Sequence, residues 1–229
     1  MKRALVTGAN GHVGSALIPL LVREGWEVSG LVRKTSNITA IRPYPVRLTY
    51  GDMVDSEALR GAAKGCDVIF HLAAPTVSYV AGDKAAALIG IKNICELAQR
   101  HSTVRRTIYV SSTVTMGVVD HPRKVLTEKS FMHLTGTPYQ DMKWEAEQKA
   151  LEYARKGIDI VIVNPSTIMG PGDLRPMPPN RLIIDFLNYS GGLRWLSEFQ
   201  LRGAPIWFDT GFSVVDVNDI ARGIYQAAK

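Results

Sequence analysis

The segment Ala4-Leu-Val-Thr-Gly-Ala-Asn-Gly-His-Val-Gly14 constrains this chain more than any other. An apolar run of strand character enters Gly8-x-x-Gly11-x-x-Gly14, and a helix is expected from about 11 to 24. Each glycine answers a different steric demand: Gly8 the tight turn, Gly11 the approach of main chain to a pyrophosphate, Gly14 the packing of helix on strand. Unpaired N–H groups at the start of such a helix, together with its dipole, favour an anion. Asn10, His12 and Val13 fill the places between the glycines and belong to the same expected phosphate-binding turn.

Short β-branched runs then alternate with helical segments. Strands are expected at Ala4 to Thr7, Val28 to Val32, Val46 to Tyr50, Val68 to His71, Thr107 to Val110 and Ile158 to Val163. Between them lie helical segments near Ser56 to Ala63, Asp83 to Arg100 and Pro138 to Lys156. Such alternation implies an α/β fold with a doubly wound parallel sheet, helices on both faces, of the Rossmann type. With 229 residues and 46% hydrophobic content, the chain can bury the core of one domain or of one domain with a small appendage. Pro165, Pro171, Pro176, Pro178 and Pro179 then interrupt regular structure and mark a hinge into a substrate-covering region. We therefore divide the chain into a nucleotide-binding domain, 1–164, and a small, apparently truncated substrate-binding region, 165–229, whose part from 206 onward returns to the core. In that region a helix is expected near Arg181 to Asn188, a strand pair at Ile206 to Phe208 and Phe212 to Val215, and a helix at Val217 to Ala228.

Composition excludes several classes. The longest apolar runs are of strand length, so no membrane-spanning helix is expected, and the start lacks a signal-peptide cleavage site; a cytoplasmic location is the expectation. Cys66 and Cys95 lie in different elements without metal-ligand spacing, which argues against a disulfide framework or a metal site and makes them buried fillers. The formal charge of +6 comes from scattered basic residues without interleaved aromatics, so no nucleic-acid partner is expected, and attraction for an anionic small molecule accounts for it as well.

In a dinucleotide fold the end of the second strand meets the adenosine ribose, and an acid there selects the free 2′-hydroxyl. This chain has Arg33 and Lys34 instead, whose charges suit a 2′-phosphate, so NADP(H) is expected over NAD(H). Asp52 and Met53 follow the third strand, with Asp52 placed to meet the adenine edge. Leu72, Ala73 and Ala74 follow the fourth strand as small residues along which main chain can line a cofactor. The reactive pair is Tyr139 and Lys143, one helical turn apart and therefore on one face. A phenol near its ordinary pKa of ~10 needs a nearby cation to exchange protons at neutral pH, and Lys143 can supply it. The spacing alone is weak, with about 0.4 chance occurrences expected. Indeed Tyr225 and Lys229 repeat it. Context favours Tyr139, which follows the strand ending Tyr109-Val-Ser-Ser-Thr113, where Ser112 can bond the same substrate oxygen, with Ser111 and Thr113 as substitutes.

These motifs, with Asn164-Pro165 and Gly170-Pro-Gly-Asp173, stand in the order found in the extended short-chain dehydrogenase/reductases of the NAD-dependent epimerase/dehydratase family, and the chain resembles that family over nearly its whole length. Val32-Arg33 resembles the NADP-selecting pattern of dihydroflavonol reductase-like members, while Val163 to Asp173, Ile184 to Asn188 and Phe208 to Gly211 look like the hopanoid-associated sugar epimerase branch. The resemblance implies a catalytic triad of Ser112, Tyr139 and Lys143, places Ser111 with the cofactor, and puts Pro165 and Thr167 beside the nicotinamide. The sequence departs from the family at Ala87, where an asparagine is usual, with Asn93 one turn beyond Gly90 matching a second family asparagine. Relatives also continue beyond the Val215 to Ala221 segment, so the substrate pocket is expected to be incomplete or shared, with Trp195, Phe199 and Trp207 either an apolar docking patch or local core.

The expected function is hydride transfer between a nicotinamide and a carbonyl or secondary alcohol, with Tyr139 as general acid and base. Nucleotide-sugar epimerisation with a retained cofactor uses the same three residues, and a non-catalytic cofactor-binding sensor or scaffold is the remaining alternative. Expected partners are a small-molecule carbonyl, alcohol or sugar and, from the resemblance, a second copy of the chain in a homodimer through the helices of 83–100 and 138–156.

Overall fold

Alternation along the central strands decides the architecture. In strand β1 (Arg3–Thr7), Ala4 and Val6 face one side of the sheet and Leu5 the other, and all three are fully buried. Strands β2 (Glu27–Val32), β3 (Val46–Tyr50), β4 (Val68–His71), β5 (Arg106–Val110) and β6 (Ile160–Val163) complete a parallel six-stranded sheet in the order β3-β2-β1-β4-β5-β6. This is the doubly wound arrangement expected. The structure is a computed structural model that describes residues 2–75, 81–117, 125–127, 137–174 and 213–229.

One face is covered by helices α1 (His12–Arg23) and α5 (Val217–Ala227), which bring Leu17, Ile18, Leu21 and Ile224 onto Val6, Phe70 and Ile108. On the other face α2 (Ser56–Ala62) and α3 (Ala81–Arg100) cover Leu5, Leu31 and Ile69 with Leu59 and Ile94. Tyr109 on that same side packs with Ile91 and Cys95 of α3 and with Ala146 and Ala150 of α4 (Pro138–Arg155). Both cysteines are buried free thiols, and burial pushes Cys95 up to about 12 and raises Cys66 as well. Local chemistry caps several helix starts: Asp55 accepts from the Glu57 and Ala58 amides, Thr137 from Gln140, and Asp216 from Asn218.

Two differences from the sequence-based expectations bear on the site. Thr167–Met169 forms a three-residue strand, β7, that was not anticipated and pairs in parallel with β8 (Val214–Asp216), a short element of the kind the prolines still permit. The anticipated partner Ile206 to Phe208, the helix at Arg181 to Asn188 and the cluster Trp195, Phe199 and Trp207 lie outside the described residues. The second difference is one of boundaries: α3 begins at Ala81, two residues before Asp83, and β6 at Ile160, two after Ile158. No helix among the described residues is long and apolar enough to cross a membrane.

Phe70 is fully buried and meets Trp26 edge-on at 6.0 Å, while Trp26 meets Tyr225 of α5 at 6.4 Å. Phe70→Ala is expected to cost about 3–5 kcal/mol of unfolding free energy, read by urea denaturation. In register across β1, β4 and β5 stand Thr7, His71 and Tyr109, a polar row inside the core. Thr7 Oγ1 lies 2.8 Å from His71 Nδ1, and the His71 ring stacks on Tyr109 at 5.7 Å. Burial, helped by the nearby Lys143 charge, pushes His71 down from 6.5 to about 3. The unfolded chain therefore takes up a proton that folded His71 refuses, and stability is lost as pH falls from 6.5 toward 3, by up to about 1.4 kcal/mol per pH unit. In urea titrations across this range, His71→Gln is expected to be less stable at neutral pH but to have the shallower pH slope.

Candidate functional site

The chain leaves β1 over one face of the sheet and β4 over the other, so a crevice opens beyond the ends of these two neighbouring strands. Gly8, just after β1, has φ +68°, and a Cβ there would stand 2.8 Å from the Ala73 amide nitrogen. A Cβ at Gly14 would stand 2.4 Å from the Gly8 carbonyl oxygen. The turn is thus folded against the main chain of Leu72 and Ala73 with no room for side chains. Gly11 donates to the Gly8 carbonyl at 2.9 Å and is the N-cap of α1, which has no side-chain cap and no acid in its first turn. The amides of His12, Val13 and Gly14 are consequently left without intrahelical acceptors. Nε2 of His12 is enclosed without a hydrogen-bond partner among the described residues. An uncapped helix start, an orphaned ring nitrogen and a cradle that a Cβ would fill fit the pyrophosphate of a dinucleotide. Asn10 completes the turn.

Arg33 and Lys34 follow β2 at the neighbouring strand end, exposed and without a carboxylate partner among the described residues. Asp52 follows β3, where its carboxylate accepts from the Val54 amide at 3.2 Å. Asn93 of α3 donates to the carbonyls of Met53 and Val54 at 3.2 and 3.1 Å, and the buried Met53 packs so closely on Gly90 that a Cβ there would meet its sulfur at 2.8 Å. The matched asparagine therefore shapes the loop after β3, while Ala87 is a buried core residue. Beyond β4, the Ala73 amide donates to Thr7 Oγ1 at 3.3 Å, which fixes the course of Leu72, Ala73 and Ala74 beside the glycine turn.

The second half of the site is built on β5, α4 and the end of β6. Ser111 is buried, with its amide bonded to the Val163 carbonyl at 2.8 Å. Ser112 caps a 3-10 helix at Thr113–Met116, its hydroxyl accepting from the Val114 amide at 3.4 Å, and its side chain lies close enough to the Tyr139 phenol to act on it. Pro165 is buried, its carbonyl accepting from Thr113 at 3.0 Å, while the Thr167 amide is held by the Ser213 carbonyl at 3.1 Å. Lys143, 6% exposed, donates from Nζ to the Val110 carbonyl at 3.3 Å. Removal from water pushes Lys143 down to about 8, against the opposing effect of Glu147. Tyr139 departs from expectation: burial raises it above the ordinary phenol range, and the effect that lowers it comes from Ser112 rather than from the lysine cation.

The rival pair Tyr225 and Lys229 is used otherwise. Tyr225 donates to the Glu24 carboxylate at 2.7 Å, and the Lys229 ammonium sits 4.5 Å over its ring, on the sheet face opposite α4. Three residues that the sequence reading did not single out as site residues stand behind Ser112. Asn164 Nδ2 has the Ser112 carbonyl, Thr115 Oγ1 and Glu147 Oε2 within reach of its two protons, at 3.2, 3.0 and 2.9 Å, and Thr115 Oγ1 lies 2.9 Å from the same Glu147 oxygen. Position offers a signal for Glu147, which lies one helical turn past Lys143.

Comparison with known proteins accords with this geometry. A putative dihydroflavonol 4-reductase of Synechocystis is 34% identical over 222 residues, covering 95% of this chain and 60% of the relative. Cinnamoyl-CoA reductase 1 of Petunia hybrida is 32% identical over 231 residues, covering 94% of this chain and 66% of the relative. The chain thus spans about two thirds or less of the length of these relatives. Among solved structures, that of gox2253 superposes with a TM-score of 0.85 at 32% identity, over all of this chain and 66% of the other. The UDP-glucose 4-epimerase of Thermus thermophilus, solved as a complex with NAD, superposes with a TM-score of 0.79 at 22% identity over 98% of this chain and 74% of the other, which shows the fold. Residues 4–229 match the NAD dependent epimerase/dehydratase family, and the chain belongs to it.

Proposed function

We propose that this chain forms the cofactor-binding and reactive part of an NADP(H)-dependent oxidoreductase acting on a carbonyl or secondary alcohol. The observation that carries the reading is the Ser112 side chain set close to the Tyr139 phenol, with buried Lys143 one helical turn beyond, on the same side of the sheet as the β4 end of the crevice. Relatives above 30% identity that are named as reductases support reduction over epimerisation.

A bound nicotinamide dinucleotide supplies or accepts the hydride. The amides of His12, Val13 and Gly14 would hold its pyrophosphate, with Gly8, Asn10 and Gly11 shaping the turn. Arg33 and Lys34 would meet a 2′-phosphate, Asp52 and Met53 the adenine side, and Leu72 to Ala74, Ser111, Pro165 and Thr167 the remaining walls. With its pKa raised, Tyr139 carries its proton at neutral pH, the state needed to protonate a carbonyl oxygen as it becomes an alcohol. Ser112 donates to the same oxygen and holds it in place. With a pKa of about 8, Lys143 is mostly cationic at pH 7, where it stabilises the charge left on Tyr139 as the proton departs.

Calorimetric titration of the full chain is expected to show NADPH binding more tightly than NADH. Loss of the guanidinium in Arg33→Ala should shrink that preference by about tenfold, equivalent to about 1.4 kcal/mol; equal affinities in the unaltered chain would overturn the NADP(H) assignment. Tyr139→Phe is expected to keep NADPH affinity while NADPH oxidation with a panel of aldehydes and ketones falls by about a hundredfold or more. Unchanged turnover would refute the role of Tyr139.

A further inference from the structure

Lys143 is a cation taken out of water, and the groups that face it come from several elements. From β4 comes His71, held neutral by burial; from β5 comes the Val110 carbonyl; α4 itself contributes Glu147. Of these, Glu147 is the carboxylate that acts on Lys143. A buried ammonium with one carbonyl contact is costly unless an opposite charge lies near it.

The same carboxylate has a second set of partners. Its Oε2 accepts from Asn164 Nδ2 and from Thr115 Oγ1, both at 2.9 Å. Asn164 Nδ2 also stands 3.2 Å from the Ser112 carbonyl, and Thr115 Oγ1 stands 2.9 Å from it, so that the one Thr115 proton is shared between this carbonyl and Glu147. Gln140 ties the same turn to α4 by donating to the Val114 carbonyl at 2.9 Å. One carboxylate therefore joins the helix bearing Tyr139 and Lys143, the turn bearing Ser112 and the end of β6 that leads into Pro165.

We propose that Glu147 is a positioning residue, its carboxylate bracing the Ser112 turn through Thr115 and Asn164 while serving as counter-charge to the buried Lys143 ammonium. The significance of this arrangement rests on the reading of Ser112, Tyr139 and Lys143 as the reactive residues. Glu147→Gln keeps an oxygen able to accept from Thr115 and Asn164 but removes the charge. Glu147→Ala removes both. A merely structural role would leave the charge state of Lys143 in Glu147→Gln unaltered.

The test follows the Lys143 Cε resonance by NMR in the full chain labelled with 13C-lysine, assigned by its loss in Lys143→Arg, across pH 6 to 11. In Glu147→Gln the Lys143 midpoint is expected to fall by about one pH unit relative to the unaltered chain. In Glu147→Ala the same fall should be accompanied by faster amide hydrogen exchange over residues 111–117. An unmoved midpoint in folded Glu147→Gln overturns the counter-charge, and unchanged exchange in folded Glu147→Ala overturns the brace. If Glu147→Ala fails to fold, exchange in Glu147→Gln stands in for it: protection close to that of the unaltered chain supports the oxygen-mediated brace, and its loss overturns it. NADPH titration of the unaltered sample reports separately on the proposed function, since absent binding refutes that reading while the lysine titration still judges Glu147.

Discussion

The main chain of Gly8 lies against that of Ala73, and the rest of the site is arranged around this approach. Two neighbouring parallel strands can send their connections to opposite faces only if the first bends away at once. Here the bend needs a positive φ at Gly8 and empty space at both Gly8 and Gly14. The result is a helix whose first turn has no side-chain cap and no acid, next to a strand end whose course is fixed by Thr7. Open donors at that place are the complement of a phosphate, so a steric constraint on main chain becomes a binding property.

A different balance governs the other half of the site. Lys143 and His71 are both buried, and desolvation lowers both. Their responses diverge because His71 can shed its charge near neutral pH at little cost, whereas Lys143 starts from a much higher pKa and has Glu147 beside it. Neutral His71 is then able to stack on Tyr109 and contact Thr7, a role in packing, while Lys143 keeps its charge beside the Val110 carbonyl. Burial raises Tyr139, leaving a phenol that holds its proton until a substrate oxygen draws it away.

Local patterns were readable in the sequence and tertiary ones were not. The turn from Gly8 to Gly14 was legible because its chemistry lies within a few neighbouring residues, and the central strands because burial on both faces leaves continuous apolar runs. Strand β7 escaped notice since three residues between prolines cannot display a period, and its partner β8 is far along the chain. Spacing brought up Tyr139 with Lys143 and Tyr225 with Lys229 equally. What separates them is the company each tyrosine keeps: Ser112 for the first, Glu24 and Trp26 for the second. The pKa direction of Tyr139 was misjudged for a related reason, because a helical spacing reports which residues are adjacent but not how deeply they are enclosed. Glu147 went unremarked because the partners that give it meaning come from two other elements.

The pairing of α5 with α1 has a consequence for how the chain is made. The apolar face of α1, with Leu17, Ile18 and Leu21, is completed only when Ile224 and Tyr225 arrive from the far end of the described sequence. Contacts of such long sequence separation slow folding, because the loop between them must close before they give any return. While the chain emerges from the ribosome, the N-terminal strand and helix can pair with β2, β3 and β4 long before their outer cover exists. For that interval the nascent chain displays an open hydrophobic face, a natural place for a chaperone to hold it.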